Sequence, residues 1–185
     1  MSLAVSEGTR IHHTTIHLIT DDITDLDVDA FVFYASSDLA VGSGFGTAIA
    51  VRGGPTIQKE LEGLAPVPTG DAVVSEAGNL KAQFIVHAVG PQFQEAGLEG
   101  KLRATVLSVF KRVEEKGIKR IAFPAMGAGY YGIAPELCAR VMLDVIEHYL
   151  EGDTGIEEVV ICVLDSRQYN SFRAPLEALG KKSTT

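Results

Sequence analysis

The stretch "RIAFPAMGAGYYGIAPELCARVMLDVIEHYL", residues 120–150, decides how this chain folds. A short apolar run ends at Met126, a glycine-rich segment follows, and a helical pattern opens near Ala134 and Pro135. Pro135 suits a first helical turn, where a missing N–H costs nothing, and Glu136 favours the positive end of the helix dipole. Strand, loop and helix in that order form the repeating unit of a parallel sheet covered by helices. Ligands in such sheets sit at the carboxyl ends of the strands, where loops lead into helix N-termini. Gly127, Gly129 and Gly132 allow backbone conformations that turn N–H groups toward an anion without interference from a Cβ.

Within this stretch "GAGYYG" has the spacing of the dinucleotide fingerprint, but its context differs. That fingerprint follows the first strand and places an acidic ribose ligand roughly 20 residues on. Here the loop follows a late strand, the next strand ends only at Asp165, and Tyr130 and Tyr131 crowd a turn that would have to hug pyrophosphate. The dinucleotide reading is rejected and a phosphate loop is retained, with a plain glycine turn as the bland alternative. A second glycine-rich loop, "SSDLAVGSGFGTAIA" at 36–50, follows the apolar run "AFVFYA" and again leads into a helix. Two such loops on neighbouring strand ends could grip a diphosphate from both sides.

Outward from these loops, strands are expected at 15–19 within "TTIHLI" and at 30–35, the second apolar on both faces and therefore central. Residues 46–62 read as a helix broken at "GGP". "DAVVSEAGNLKAQFIVHAV" reads as two strands around a Gly-Asn turn. Leu102, Val106, Val109, Phe110 and Val113 share one helical face that stops at Gly117. A strand in "EEVVICVLD" and a last helix near 168–179 complete the chain. The expected architecture is a three-layer α/β/α fold with a mixed, largely parallel central sheet. It forms one domain over 1–185, with its core at about 14–180 and short flexible tails.

Composition narrows the function. The apolar runs are far shorter than the roughly 20 residues a bilayer requires, and "MSLAVSEGTR" lacks the features of a signal peptide, so no membrane association is expected. Cys138 and Cys162 are too few and too far apart for a thiolate metal site and read as buried free thiols in a reducing cytoplasm. A net charge of −8 argues against duplex nucleic acid as partner, though backbone N–H groups can still hold phosphates. Asp25, Asp27 and Asp29 mimic the start of a calcium loop, but Ala30 and Ser36 stand where Gly and Glu are needed. No metal and no cofactor are expected. Asp22 differs from these neighbours: it ends the first strand on the same sheet edge as the loops, where a carboxylate can accept from an exocyclic amine. His87 reads as a satisfied sheet-edge histidine, His148 suits a helix C-terminus, and His12 and His13 fall on a tail or the first strand.

Taken together the segments resemble the macro domain, the ADP-ribose-binding module, from about Ile16 to Phe172. The family's "GDIT…VDAIVNAAN" stands here as "DDIT…VDAFVFYAS", and "GGGVDGAI" as "GSGFGTAI". Its "PTGEAVIT…NL…YVIHTVGP" stands as "PTGDAVVSEAGNLKAQFIVHAVGP", and "IAFPAISTGIYGF" as "IAFPAMGAGYYGI". The resemblance implies that Asp22 takes the adenine amine, with a backbone contact from Ile23 beside it. It places Gly44 and Phe45 in the first phosphate loop. Gly127, Ala128, Gly129, Tyr130 and Tyr131 fall in the second, whose aromatic lies along the distal ribose.

The departures from the pattern matter as much. The two Asn of "NAAN" are Phe33 and Ser36, the Asp of catalytic members aligns with Gly46, and the loop Ser and Thr are Gly127 and Ala128. The aromatic that stacks on adenine falls at Leu164. Backbone cradling of phosphate survives these changes, whereas side-chain recognition of the distal ribose is depleted. The resemblance thus implies binding of ADP-ribose or a related adenine nucleotide, free or on an ADP-ribosylated protein, with little or no catalysis. Its first alternative is an ADP-ribosyl-protein hydrolase or O-acetyl-ADP-ribose deacetylase, with Ser36 or a loop-held water in place of the usual pair. The second is a scaffold whose cleft has drifted toward another phosphate ligand.

Overall fold

The computed structural model describes residues 8–41 and 45–182. Its seven strands form one sheet in the order β1-β2-β7-β6-β3-β5-β4. These strands are β1 (Thr9–Ile11), β2 (Thr14–Thr20), β3 (Ala30–Ala35), β4 (Asp71–Glu76), β5 (Phe84–Val89), β6 (Arg120–Phe123) and β7 (Glu158–Val163). The inner neighbours β2, β7, β6, β3 and β5 run parallel, while β1 and β4 close the two edges antiparallel. The expected α/β architecture, a mixed seven-stranded sheet flanked by helices, is therefore present.

Alternation along β3 shows how one strand serves two cores. Ala30, Val32 and Tyr34 face a cluster built with α3 (Leu98–Glu115), α4 (Pro135–Leu150) and α5 (Ser166–Lys182). Phe31 and Ala35 face the opposite cluster, closed by Ile49 of α1 (Phe45–Gly53) and by Ile57 and Leu61 of α2 (Thr56–Glu62). Both faces of the strand are thus covered, which is why it reads as an unbroken apolar run. Phe31, Phe110, Phe123 and Phe172 are fully buried, and each contributes about 1.5–3 kcal/mol in removed apolar surface.

The helical segment expected at 46–62 is two helices, divided at Gly54, whose φ of 89° only glycine adopts readily. The last helix runs longer than the expected 168–179. β1 was not anticipated: it pairs with β2 through a tight turn at His12 and His13, so these histidines belong to a hairpin end.

Two local features open the sheet where the site lies. From β3 the chain crosses toward β5 and β4, and from β6 it crosses through α4 to β7, so the winding reverses between β3 and β6. The same two strands pair only at Ala30–Ile121 and Phe31–Ala122, because β6 stops at Phe123 before Pro124, which has no N–H to donate. β3 continues beside β5 to Ala35, leaving a gap at the carboxyl ends. No helix among the described residues is long and apolar enough to cross a membrane.

Candidate functional site

A cavity of about 400 Å³ fills this gap. Its floor is Phe31, Val32, Phe33 and Tyr34 of β3, and its walls come from the loops after β2, β3, β6 and β7. Parallel strands bring all four loops to one edge, the position that a reversal of winding predicts for a ligand. Of the residues singled out from the sequence, Ile23, Ser36, Gly127, Ala128, Gly129, Tyr130, Tyr131 and Leu164 line it. Gly44 and the side chain of Phe45 lie outside the described residues.

Asp22 follows β2 at the expected end of the sheet, between the cavity-lining Asp21 and Ile23, and carries structural bonds of its own. Its Oδ1 accepts from Thr24 N at 3.0 Å and Thr24 Oγ1 at 2.6 Å, capping the short 3₁₀ turn Ile23–Asp25. Its Oδ2 accepts from Arg52 Nη2 at 2.5 Å. Partial burial disfavours the charged form, but the bonds from Thr24 and Arg52 outweigh it and hold the carboxyl below its ordinary range. Asp21, not Asp22, is the carboxylate residue lining the cavity at this end. Gln168 stands nearby, buried, and its Oε1 accepts from Leu164 N at 3.0 Å. Leu164 is half exposed and lends the cavity an apolar side chain.

The loop after β6 is built from backbone. Gly127, Gly129 and Gly132 have φ of 85°, 75° and 77°. The N–H groups of Ala128, Gly132 and Ile133 bond to Ala125, Gly129 and Gly127 within the loop. Residues Gly129–Tyr131 form a 3₁₀ turn, and the N–H groups of a first turn have no partner inside it. Tyr131 packs edge-on against Tyr34 with ring centroids 4.7 Å apart, and Tyr34 donates to Pro91 O. Tyr130 stands 91% exposed at the cavity mouth.

The loop after β3 is built from side chains. Ser36 Oγ donates to Asp38 Oδ1 at 2.6 Å, and Ala40 N donates to the same oxygen at 3.0 Å. These two bonds hold the Asp38 carboxyl below its ordinary range. Leu39 is fully buried although its φ is 59°, a conformation that costs a non-glycine residue of order 1–3 kcal/mol and persists where packing over-determines it. Asp38 lines the cavity and was not anticipated; its one sequence signal was a position two residues beyond Ser36. Gly46 packs so closely on this loop that an added Cβ would lie 2.8 Å from Val41 Cα and 2.9 Å from its carbonyl oxygen.

Several other titratable groups bear on the fold, and one of them, Cys162, also lines the cavity. His87 is buried on β5, an inner strand and not the expected sheet edge; its Nε2 lies 2.8 Å from Ser75 Oγ, its Nδ1 has no partner among the described residues, and burial pushes its pKa down to about 3. Asp29 Oδ2 accepts from the N–H groups of Lys119 and Arg120 and ties β6 to β3. Burial raises the thiols of Cys138 and Cys162 to about 12, and both cysteines are free.

The macro domain family model matches residues 34–142. A macro domain-containing protein of Caldanaerobacter subterraneus subsp. tengcongensis is 39% identical over 172 residues, spanning 90% of this chain and 98% of that protein. O-acetyl-ADP-ribose deacetylase 2 of Pantoea vagans is 33% identical over 163 residues, spanning 85% of this chain and 95% of that enzyme. Among solved structures, a variant of the Oceanobacillus iheyensis macrodomain with ADPR superposes with a TM-score of 0.88. The two are 24% identical, and the match covers 94% of this chain and 98% of that one. This chain belongs to the macro domain family.

Proposed function

We propose that this protein binds ADP-ribose or a related adenine nucleotide in the cleft between β3 and β6, with little or no catalysis. The observation that carries the reading is a cavity at the reversal of winding, lined by a glycine turn that opens with backbone N–H groups. Such groups stabilise a diphosphate without basic side chains, which suits a chain of net charge −8. Relatives named for ADP-ribose chemistry, or solved with ADPR, support the ligand class. Ile23 and Leu164 then lie at the base end, with Asp22 behind Ile23, and Tyr131 at the ribose end. A protein carrying a single ADP-ribose is the larger partner that the open mouth admits. Two buried free thiols fit a reducing cytoplasm.

Weak catalysis follows from the chemistry at hand. Hydrolysis at the distal ribose needs a positioned water and a base, and general-base assistance is worth roughly 10²–10⁴-fold. Ser36 donates a hydrogen bond to Asp38 and is not basic, while Gly46 has no room for a carboxylate against the Val41 backbone. Turnover of mono-ADP-ribosylated protein is expected about a hundredfold or more below that of a catalytic relative assayed in parallel. The alternative, an ADP-ribosyl-protein hydrolase or O-acetyl-ADP-ribose deacetylase using Ser36 or a loop-held water, is favoured by the name of the Pantoea relative. Comparable turnover would establish it.

Calorimetric titration with ADP-ribose, ADP, AMP and NAD tests the binding itself. Loss of a ribose contact forfeits about 0.5–1.5 kcal/mol, so the expected Kd for ADP-ribose is about tens of micromolar or weaker. Absence of both heat and a thermal shift with every ligand at saturation would overturn the proposal.

A further inference from the structure

We infer that Asp38 selects the terminal group of the ligand, accepting a hydroxyl-bearing sugar and rejecting an additional phosphate. The inference rests on the binding reading above and assigns a role to a residue outside the sequence-derived ligand set.

Asp38 divides its two oxygens between two tasks. Oδ1 is committed to the turn, accepting from Ser36 Oγ and Ala40 N, while Oδ2 has no partner among the described residues. The turn is held from both sides: Leu39 N donates to Ser36 O at 2.9 Å, and the Leu39 side chain, next to the carboxylate, is fully buried. Asp38 is exposed, but the two bonds to Oδ1 fix the direction of the carboxylate, so less ordering remains to oppose a bond to its other oxygen.

Its position in the cleft sets what that bond can be. Asp38 and Ser36 follow β3, and β6, which carries the glycine turn, lies between β3 and β7, whose loop carries Leu164 and Gln168. A nucleotide with its base toward Leu164 and its diphosphate on the glycine turn directs whatever follows the second phosphate toward Asp38. An ionised carboxylate oxygen only accepts hydrogen bonds. A ribose offers hydroxyl donors to it, whereas a third phosphate brings only acceptors and like charge. Among the described residues no Lys or Arg side chain lines the cavity, so a terminal phosphate would meet Asp38 without a cation from them to offset it.

The variant Asp38→Asn separates this role from turn-building. Its amide oxygen can still accept from Ser36 Oγ and Ala40 N, while the group facing the ligand changes from acceptor to donor. Three dissociation constants are measured for wild type and variant, with ADP, ADP-ribose and ATP, alongside the melting temperature as a check that the loop is retained. The expected result is an unchanged Kd for ADP, an ADP-ribose preference over ADP reduced about five- to tenfold, and ATP improved about threefold or more relative to ADP. Wild type that binds ADP-ribose, with both ratios unchanged in the variant, would overturn the role of Asp38 and leave the binding function standing. An equal loss for all three ligands would also overturn it, since that marks a disturbed loop. Wild type that binds neither ADP nor ADP-ribose would remove the binding function and this inference with it.

Discussion

The loops after β3 and β6 occupy matching positions, yet they are built on opposite principles. Each follows a parallel strand, lines the same cavity and ends in a helix. Between Pro124 and Ala134 there is no charged residue, and the conformation comes from three glycines at positive φ and hydrogen bonds within the backbone. Between Ser36 and Val41 the conformation comes from side chains, with Asp38 accepting two bonds and Leu39 buried in a left-handed conformation. A backbone-built loop tolerates exchange of side chains provided its glycines stay. A side-chain-built loop keeps its shape only while particular residues do. The first suits the part of a ligand common to all nucleotides, and the second suits the part that varies.

The largest effect is expected where a side chain both shapes the loop and fills the core. Leu39→Ala deletes a fully buried side chain, and such changes cost about 2–5 kcal/mol depending on how far the site collapses. Urea unfolding should show this loss together with weaker discrimination between ADP-ribose and ADP. A cost below about 1 kcal/mol would mean that the loop holds its shape without this anchor, and the contrast between the two loops would lapse.

How much of this was readable beforehand depends on the length over which each signal acts. α4 was legible because Pro135 marks its start and apolar residues recur on one face through Leu150. The break between α1 and α2 was legible because "GGP" is a local breaker. β1 was not, since three residues ending at a His-His turn carry too little alternation to register. The cleft residues of the glycine turn were found because glycine itself is the signal. Asp38 was missed for the opposite reason: an acidic residue in a polar loop has no distinctive pattern, and only its placement on the cavity wall gives it meaning. Asp22 carries a long-range contact that its sequence position did not announce: Arg52, thirty residues away, donates to its outer oxygen.

Asp22 therefore tests whether a carboxylate already committed to the fold still reads the base. Asp22→Ala removes the cap on Thr24 and the partner of Arg52, and loss of such a cap costs about 1 kcal/mol. Affinity for adenine nucleotides should fall by less than about tenfold, because the full value of a charged hydrogen bond is not in play. The folded-state pKa of Asp22 lies below its ordinary 3.8, so its stabilisation is complete above that value and disappears as pH falls through the lower folded value. The stability gap between wild type and variant should accordingly be constant near neutrality and close under acid conditions below about pH 4. A tenfold loss of affinity with unchanged melting would instead make Asp22 a direct ligand.

The smallest stability effect is expected at Tyr130, and it bears most directly on the glycine loop. The side chain is 91% exposed and touches chiefly the edge of Tyr131, with ring centroids 5.3 Å apart. Removing it should change stability by no more than about 0.5 kcal/mol, the usual range for surface substitutions. The backbone N–H of residue 130 remains in Tyr130→Ala, and a 3₁₀ turn accepts alanine readily. If this loop holds a diphosphate by its backbone alone, ADP affinity should stay within about twofold of wild type. A tenfold loss for ADP would show that the ring itself closes over the phosphates. The loop would then depend on side-chain identity as the other does, and the glycines would be only its hinges. Calorimetry with ADP on this one variant decides between the two, because ADP lacks the distal ribose and reports on the shared part of the ligand alone.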